Sequence, residues 1–136
     1  MEENSKMESG FRIINLILLE SNFSRVANVA FNKPEIHNEV DVDVNVKIKE
    51  KTVVVTESLF FKQKYEGQEQ VNCTIKMVGV FEKIGDTELD LEEFGHINAA
   101  AIIFPYIREH LTGLAVKAGL GVILLPPVNF TKKHSN

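Results

Sequence analysis

The sequence predicts an α+β domain: a four-stranded antiparallel sheet followed by one long helix packed on it. Three observations carry this expectation. Val40, Val42, Val44, Val46 and Ile48 alternate with Asp41, Asp43, Asn45, Lys47 and Lys49, the period-two pattern of a strand with one wet face. Ile103, Ile107, Leu111, Leu114 and Ala118 recur at helical spacing, opposite Arg108 and Thr112. The strand patterns all precede the helical ones, an order that places the helix on one side of the sheet.

Residues 1–10 are polar and read as a disordered tail, 11–130 as a single domain, and 131–136 as a short C-terminal tail. The first strand is the nearly continuous apolar run Ile13, Ile14, Leu16, Ile17, Leu18 and Leu19. Neighbouring side chains of an extended chain point to opposite faces, so this strand is apolar on both. The protein's own helix covers one face; the other calls for a second copy or a bound ligand. Residues 21–38 read as a crossover, broken by Asn28, Asn32, Lys33, Pro34 and Asn38. Phe23, Val26, Val29 and Phe31 make it too apolar for a plain surface loop.

After the alternating strand, Glu50-Lys51 turns the chain. Val53, Val55, Leu59, Phe61 and Tyr65 then share one face of a third strand. Glu66-Gly67-Gln68-Glu69 supplies a hairpin turn. The fourth strand carries Val71, Cys73, Ile75, Met77 and Phe81 inward, against Asn72, Thr74, Lys76 and Glu82. Gly85-Asp86 ends it. Leu89, Leu91 and Phe94 suggest a short helical turn stopped by Gly95, with Asn98 as N-cap of the main helix. Pro105 falls inside that helix, where it removes a backbone donor. Gly119 and Gly121 close it, and Val122-Ile123-Leu124-Leu125 runs apolar into Pro126-Pro127.

Composition narrows the function. A length of 136 residues indicates one domain with a modest core, a size at which self-association often completes burial. The net charge of −4 argues against a nucleic-acid partner, since phosphate affinity needs clustered Lys and Arg. The polar, acidic N-terminus has no signal pattern, and no apolar run suffices for direct membrane insertion, so a cytoplasmic protein is expected. With Cys73 the only cysteine, no intrachain disulfide can form. His37, His96, His110 and His134 never fall at a ligand spacing, so no metal is expected. No glycine-rich phosphate loop appears, and no nucleophile elbow. The expectation is a protein that is no enzyme and needs no cofactor.

Two C-terminal stretches point elsewhere. Ile103-Phe104-Pro105-Tyr106-Ile107-Arg108-Glu109 resembles the start of the long helix of the SecB export chaperones, and Leu125-Pro126-Pro127-Val128-Asn129-Phe130 resembles the segment after it. Val78-Gly79-Val80-Phe81 is similar to the end of that family's last strand, and Cys73 falls where a family cysteine is common. Pro34-Glu35-Ile36 and Val40-Asp41-Val42-Asp43 are similar to its second strand and the approach to it. The likeness covers residues 11–130, most strongly 95–130.

This resemblance implies an ATP-independent holdase: a homotetramer, built as a dimer of dimers, that binds unfolded preproteins in apolar grooves for export by the SecA motor. Carried onto this chain, the groove residues are Phe23, Val29, Phe31, Val40, Val42, Ile123, Leu124 and Leu125. Core packing explains the strand valines equally well. Glu20, Asp41 and Asp43 match the acidic surface on which the motor docks. Ser24 and Thr74 stand where two other family acids would be, and only Thr131–Asn136 remain for a second C-terminal helix. These departures bear on export more than on chaperoning. Two other readings stay open: protection of an aggregation-prone antitoxin, and a non-chaperone module that binds one folded partner.

Overall fold

The computed structural model describes residues 10–85 and 90–131. Four strands, β1 (Phe11–Arg25), β2 (Ile36–Lys49), β3 (Thr52–Tyr65) and β4 (Gln68–Lys83), form one antiparallel sheet. Their order across it is β1-β4-β3-β2, so β1 and β2 are the two edges. Tight turns join β2 to β3 and β3 to β4. In the second, Glu66 and Gly67 both take positive φ, 53° and 78°, as a type I′ hairpin turn requires. The expected reach of that turn narrows to these two residues, because Tyr65 already pairs with Gln68.

One face of the sheet is apolar and covered. Val53, Val55, Leu59 and Phe61 of β3 and Val71, Cys73, Ile75 and Phe81 of β4 are at most 1% exposed. Glu57, a member of the same row, is equally buried.

The covering element is a helical run in three parts. The turn α1 (Leu91–Glu93) leads into a π-helical stretch, Phe94–Ala99, and then into α2 (Ala100–Lys117). Gly95 therefore does not end a helix and Asn98 caps none. The cap is Asp90, whose side chain accepts from the Glu93 amide at 3.1 Å. The reason for a glycine at 95 is proximity: a Cβ there would stand 2.7 Å from Val46 Cγ1. Gly79 plays the same part further on, where a Cβ would meet Ile103 Cδ1 at 2.9 Å. The helical run thus crosses the sheet diagonally, from β2 at Gly95 to β1 at its C-terminus. Ala100, Ile103, Phe104, Ile107, Leu111 and Ala115 form its buried face. Leu114 and Ala118, expected there, are half-buried, because the face drifts with the 3.6-residue period.

The helix ends in a Schellman motif. Gly119 (φ 77°) donates to the Val116 carbonyl at 3.0 Å, and Leu120 to Ala115 at 2.9 Å. Beyond it the chain stays irregular until Phe130, whose ring meets Phe104 edge-on at 5.9 Å.

The largest difference from expectation is β1. It continues through Ser21–Arg25, so the crossover spans only residues 26–35. Polar side chains hid the strand in the sequence, yet its ladder to β4 persists to Arg25↔Val71. Its register shifts between Ile13 and Asn15 and again between Leu18 and Glu20. The residues inserted at those breaks, Ile14 and Leu19, are 53% and 55% exposed. Within one chain Phe11, Leu16 and Phe23 of β1 reach the core, whereas Ile13, Ile14, Ile17, Leu18 and Leu19 are left exposed. The expected tails largely fall outside the described residues, at 1–9 and 132–136.

Candidate functional site

The crossover leaves β1 at one edge and must reach β2 at the other, so it passes over the covered face beyond the end of α2. Lys33–Ile36 forms a turn closed by the Ile36 amide on the Lys33 carbonyl at 3.2 Å, with Pro34 at its second position. Asn32 takes φ 54°, a conformation asparagine tolerates. This brings Ala30, Phe31 and Asn32 opposite the segment after the helix. Between them lies an open groove of about 290 Å³. Leu120, Val122, Ile123 and Leu124 form its second wall, and Ile36, Asn38 and Gln63 its floor. On the other side of residues 122–125 a second depression, of about 580 Å³, runs along α2 past Pro105, Arg108 and Thr112. One short apolar segment therefore lines two grooves.

Four of the eight apolar candidates line a groove and four do not. Phe31, Ile123 and Leu124 line the first groove, and Ile123, Leu124 and Leu125 line the second. Leu124 is 83% and Phe31 49% exposed, whereas Ile123, at 7%, reaches the grooves from the core. Val42 is in the core at 3% exposure, and Val40 packs against it, half-buried. Phe23 lies in β1, not in the crossover, paired with Cys73 and packed on the core. Val29 is half-buried in the crossover.

The three acidic candidates do not come together. Asp41 and Asp43 lie on the uncovered face of β2, opposite Phe60 and Ser58. Glu20 is on β1 at the far edge, with β4 and β3 between, about 14 Å away at ordinary strand spacing. It accepts from Asn22 at 2.8 Å and lies 3.7 Å from Lys76. Cations also reach the β2 side, where Lys64 meets Glu39 at 3.2 Å.

Two polar residues that sequence reading passed over anchor the crossover from behind the first groove. Gln70 is 5% exposed and joins the crossover to Gln63, and Arg25 reaches from β1 to the end of α2. Nothing in a single strand pattern marks them, since both look like ordinary solvated strand residues.

Burial pushes the Cys73 thiol up to about 11, which keeps it neutral and unreactive. Among the described residues no group of three or more His, Cys, Asp or Glu could hold a metal ion, and no helix is long and apolar enough to cross a membrane.

Known proteins resemble this chain in sequence and in fold. An uncharacterized protein of Methanocaldococcus jannaschii, MJ0357, is 24% identical over 75% of this chain and 68% of its own. The protein-export protein SecB of Halorhodospira halophila is 28% identical over 88% of this chain and 71% of its own. The Mycobacterium tuberculosis Rv1957 SecB-like chaperone, solved in complex with a ChAD peptide from the Rv1956 HigA1 antitoxin, shares the fold. Its TM-score is 0.73 at 16% identity, over 95% of this chain and 98% of that one. The family described as SecB, preprotein translocase subunit SecB, matches residues 10–135, and the chain belongs to that family.

Proposed function

We propose that this protein is a nucleotide-independent holdase that grips unfolded polypeptide along the two grooves beside residues 122–125. The observation that carries the reading is the exposure of Leu124 and Phe31 on facing walls of one groove. A folded domain gains by burying such side chains, so leaving them open favours a partner that buries them. Apolar contact is non-directional and tolerates many sequences, as binding of diverse unfolded chains demands. The grooves are also open and shallow, suited to an extended chain and poorly suited to enclosing a small molecule.

Clients are unfolded preproteins or an antitoxin. Membership of a family named for preprotein translocation supports the first, and the antitoxin peptide bound by the Rv1957 chaperone supports the second. The working unit is a homotetramer built as a dimer of dimers. Two apolar surfaces support self-association. One is edge strand β1, with Ile13, Ile14, Ile17, Leu18 and Leu19 between 42% and 55% exposed. The other is the outer side of α2, where Ile102, Tyr106 and Val116 are exposed. Several grooves on one assembly bind one long client with far greater avidity than a single groove. A motor of the SecA kind would dock on the acidic outer face of the sheet, where Glu20 and Asp43 lie in one cross-strand row through Lys76 and Ser58, with Asp41 beside them on β2.

The test is aggregation of a chemically unfolded client, followed by turbidity with and without the purified protein and with no nucleotide added. Suppression near one assembly per client is expected. Undiminished turbidity rules the holdase out and leaves the module that binds a single folded partner.

A further inference from the structure

The crossover that forms one wall of the first groove is held by polar side chains. Gln70 is the extra residue where the β3–β4 register shifts: Gln63 pairs with Val71 and Lys64 with Glu69, leaving Gln70 without a cross-strand partner. Such a bulge re-aims a side chain. Here Gln70 is buried beside Val71, its neighbour, instead of alternating with it. Its Oε1 accepts from the Ala30 amide at 2.9 Å, and its Nε2 donates to the Ala30 carbonyl at 3.1 Å. One side-chain amide thus satisfies both backbone groups of Ala30, as a neighbouring strand would. Nε2 also donates to Gln63 Oε1 at 2.8 Å, and Gln63 Nε2 donates to Asn38 Oδ1 at 3.0 Å. The crossover is tied through these amides to the groove floor.

Arg25 makes the second tie. Its guanidinium donates to the carbonyls of Val26 at 2.9 Å and Ala27 at 2.8 Å, both in the crossover. It also donates to the carbonyl of Ala118 at 2.5 Å, at the end of α2 where the opposite wall begins. One rigid, planar cation therefore joins the start of the crossover to the end of α2, behind the groove.

We propose that Arg25 and Gln70 are positioning residues that hold the crossover off the post-helix segment and so set the groove's width. The role deepens the peptide-gripping reading and rests on it. The physical reason is a competition. If Phe31 folded onto Leu124, both would gain apolar burial and the groove would close. That movement would drag Ala30 from Gln70 and leave the amide of the buried Gln70 unsatisfied, a penalty that opposes the return from burying two exposed side chains. An apolar anchor could slide with the crossover; hydrogen bonds of fixed geometry cannot. The open groove is thus preorganised for its client.

The experiment combines hydrogen exchange at the Ala30 amide with binding of a fluorescent unfolded peptide to the full chain. Gln70→Met keeps length and volume but loses every side-chain hydrogen bond, while the bond from the Val26 amide to the Gln70 carbonyl remains. We expect Ala30 to lose protection and the peptide to bind about tenfold more weakly, mainly through faster dissociation. Arg25→Met should weaken the peptide in the same direction while Ala30 stays protected. Gln70→Glu supplies a readout that simple destabilisation would not move. Its carboxylate keeps the acceptor and loses the donor, so binding should recover as pH falls through the carboxylate range and the proton restores a donor. This variant also serves if Gln70→Met does not fold. Unchanged Ala30 exchange in Gln70→Met, or full peptide affinity despite lost protection, overturns the proposal. A parent protein that protects Ala30 but binds no peptide upholds the clamp and refutes the holdase reading alone.

Discussion

Replacing Leu124 and Phe31 with serine separates grip from stability. Full burial of a leucine or phenylalanine side chain is worth about 1.5–3 kcal/mol. Leu124 leaves 83% of its surface for a client to cover, which amounts to about 1.5 kcal/mol at stake in binding. Phe31 leaves 49%, or about 1 kcal/mol. Together the two substitutions should raise the Kd of a single peptide segment roughly 70-fold. Both residues line one groove, so roughly 70-fold is the additive expectation, and coupling between the two shifts the measured double variant from it. Leu124 buries little on folding but Phe31 buries about half of its surface, so the stability read by urea should fall by about 1 kcal/mol, most of it from Phe31. Ile123→Ala is the contrasting control: at 7% exposure it belongs to the core and should cost about 2–5 kcal/mol of stability. Fluorescence anisotropy with a labelled unfolded peptide reads binding, and urea denaturation reads stability. A double serine variant that binds within about twofold of the parent would refute the apolar grip.

Three further outcomes rest on the same fold. Leu19→Lys, at an inserted position of edge strand β1, should lower the mass seen by light scattering, because a charge there blocks an apolar edge; an unchanged mass places the interface elsewhere. Gly79→Val should cost about 1–3 kcal/mol or more in chemical denaturation, since even a Cβ would sit 2.8 Å from Phe81 Cε1 and 2.9 Å from Ile103 Cδ1. The Cys73 thiol, raised from 9.0 to about 11, is protonated in the fold where the unfolded chain has begun to ionise. Its stabilising effect is complete below pH 9.0 and is lost as pH rises to about 11. Cys73→Val should flatten that alkaline decline in the urea midpoint.

How much was legible depended on whether a signal was local. The alternation of residues 40–48 placed β2 and its two faces, because a half-buried strand writes its burial directly into sequence order. The rows in β3 and β4, the inner face of α2 at Ile103, Ile107 and Leu111, and the Gly119 cap were readable for the same reason. Ser21–Arg25 was not: these residues are strand because β4 pairs with them, not because of what they are. Gly95 looked like a helix terminator, yet its role is set by Val46, forty-nine positions away in the chain. Leu124 and Phe31 were legible as candidates through family resemblance. Their meeting across one groove was not, since it depends on how the crossover traverses the sheet.

The amino-acid order by itself determined the sheet-then-helix plan and the family, both written in periodicity and in short motifs around Pro105 and Pro126-Pro127. Tertiary structure alone decided which greasy residues stay open, that Gln70 turns inward at a bulge, and that Arg25 joins the crossover to the end of α2. The physical reason is range. Periodicity reports a residue's own exposure within an element, whereas a groove is the gap between segments, held by hydrogen bonds between residues as far apart as Arg25 and Ala118.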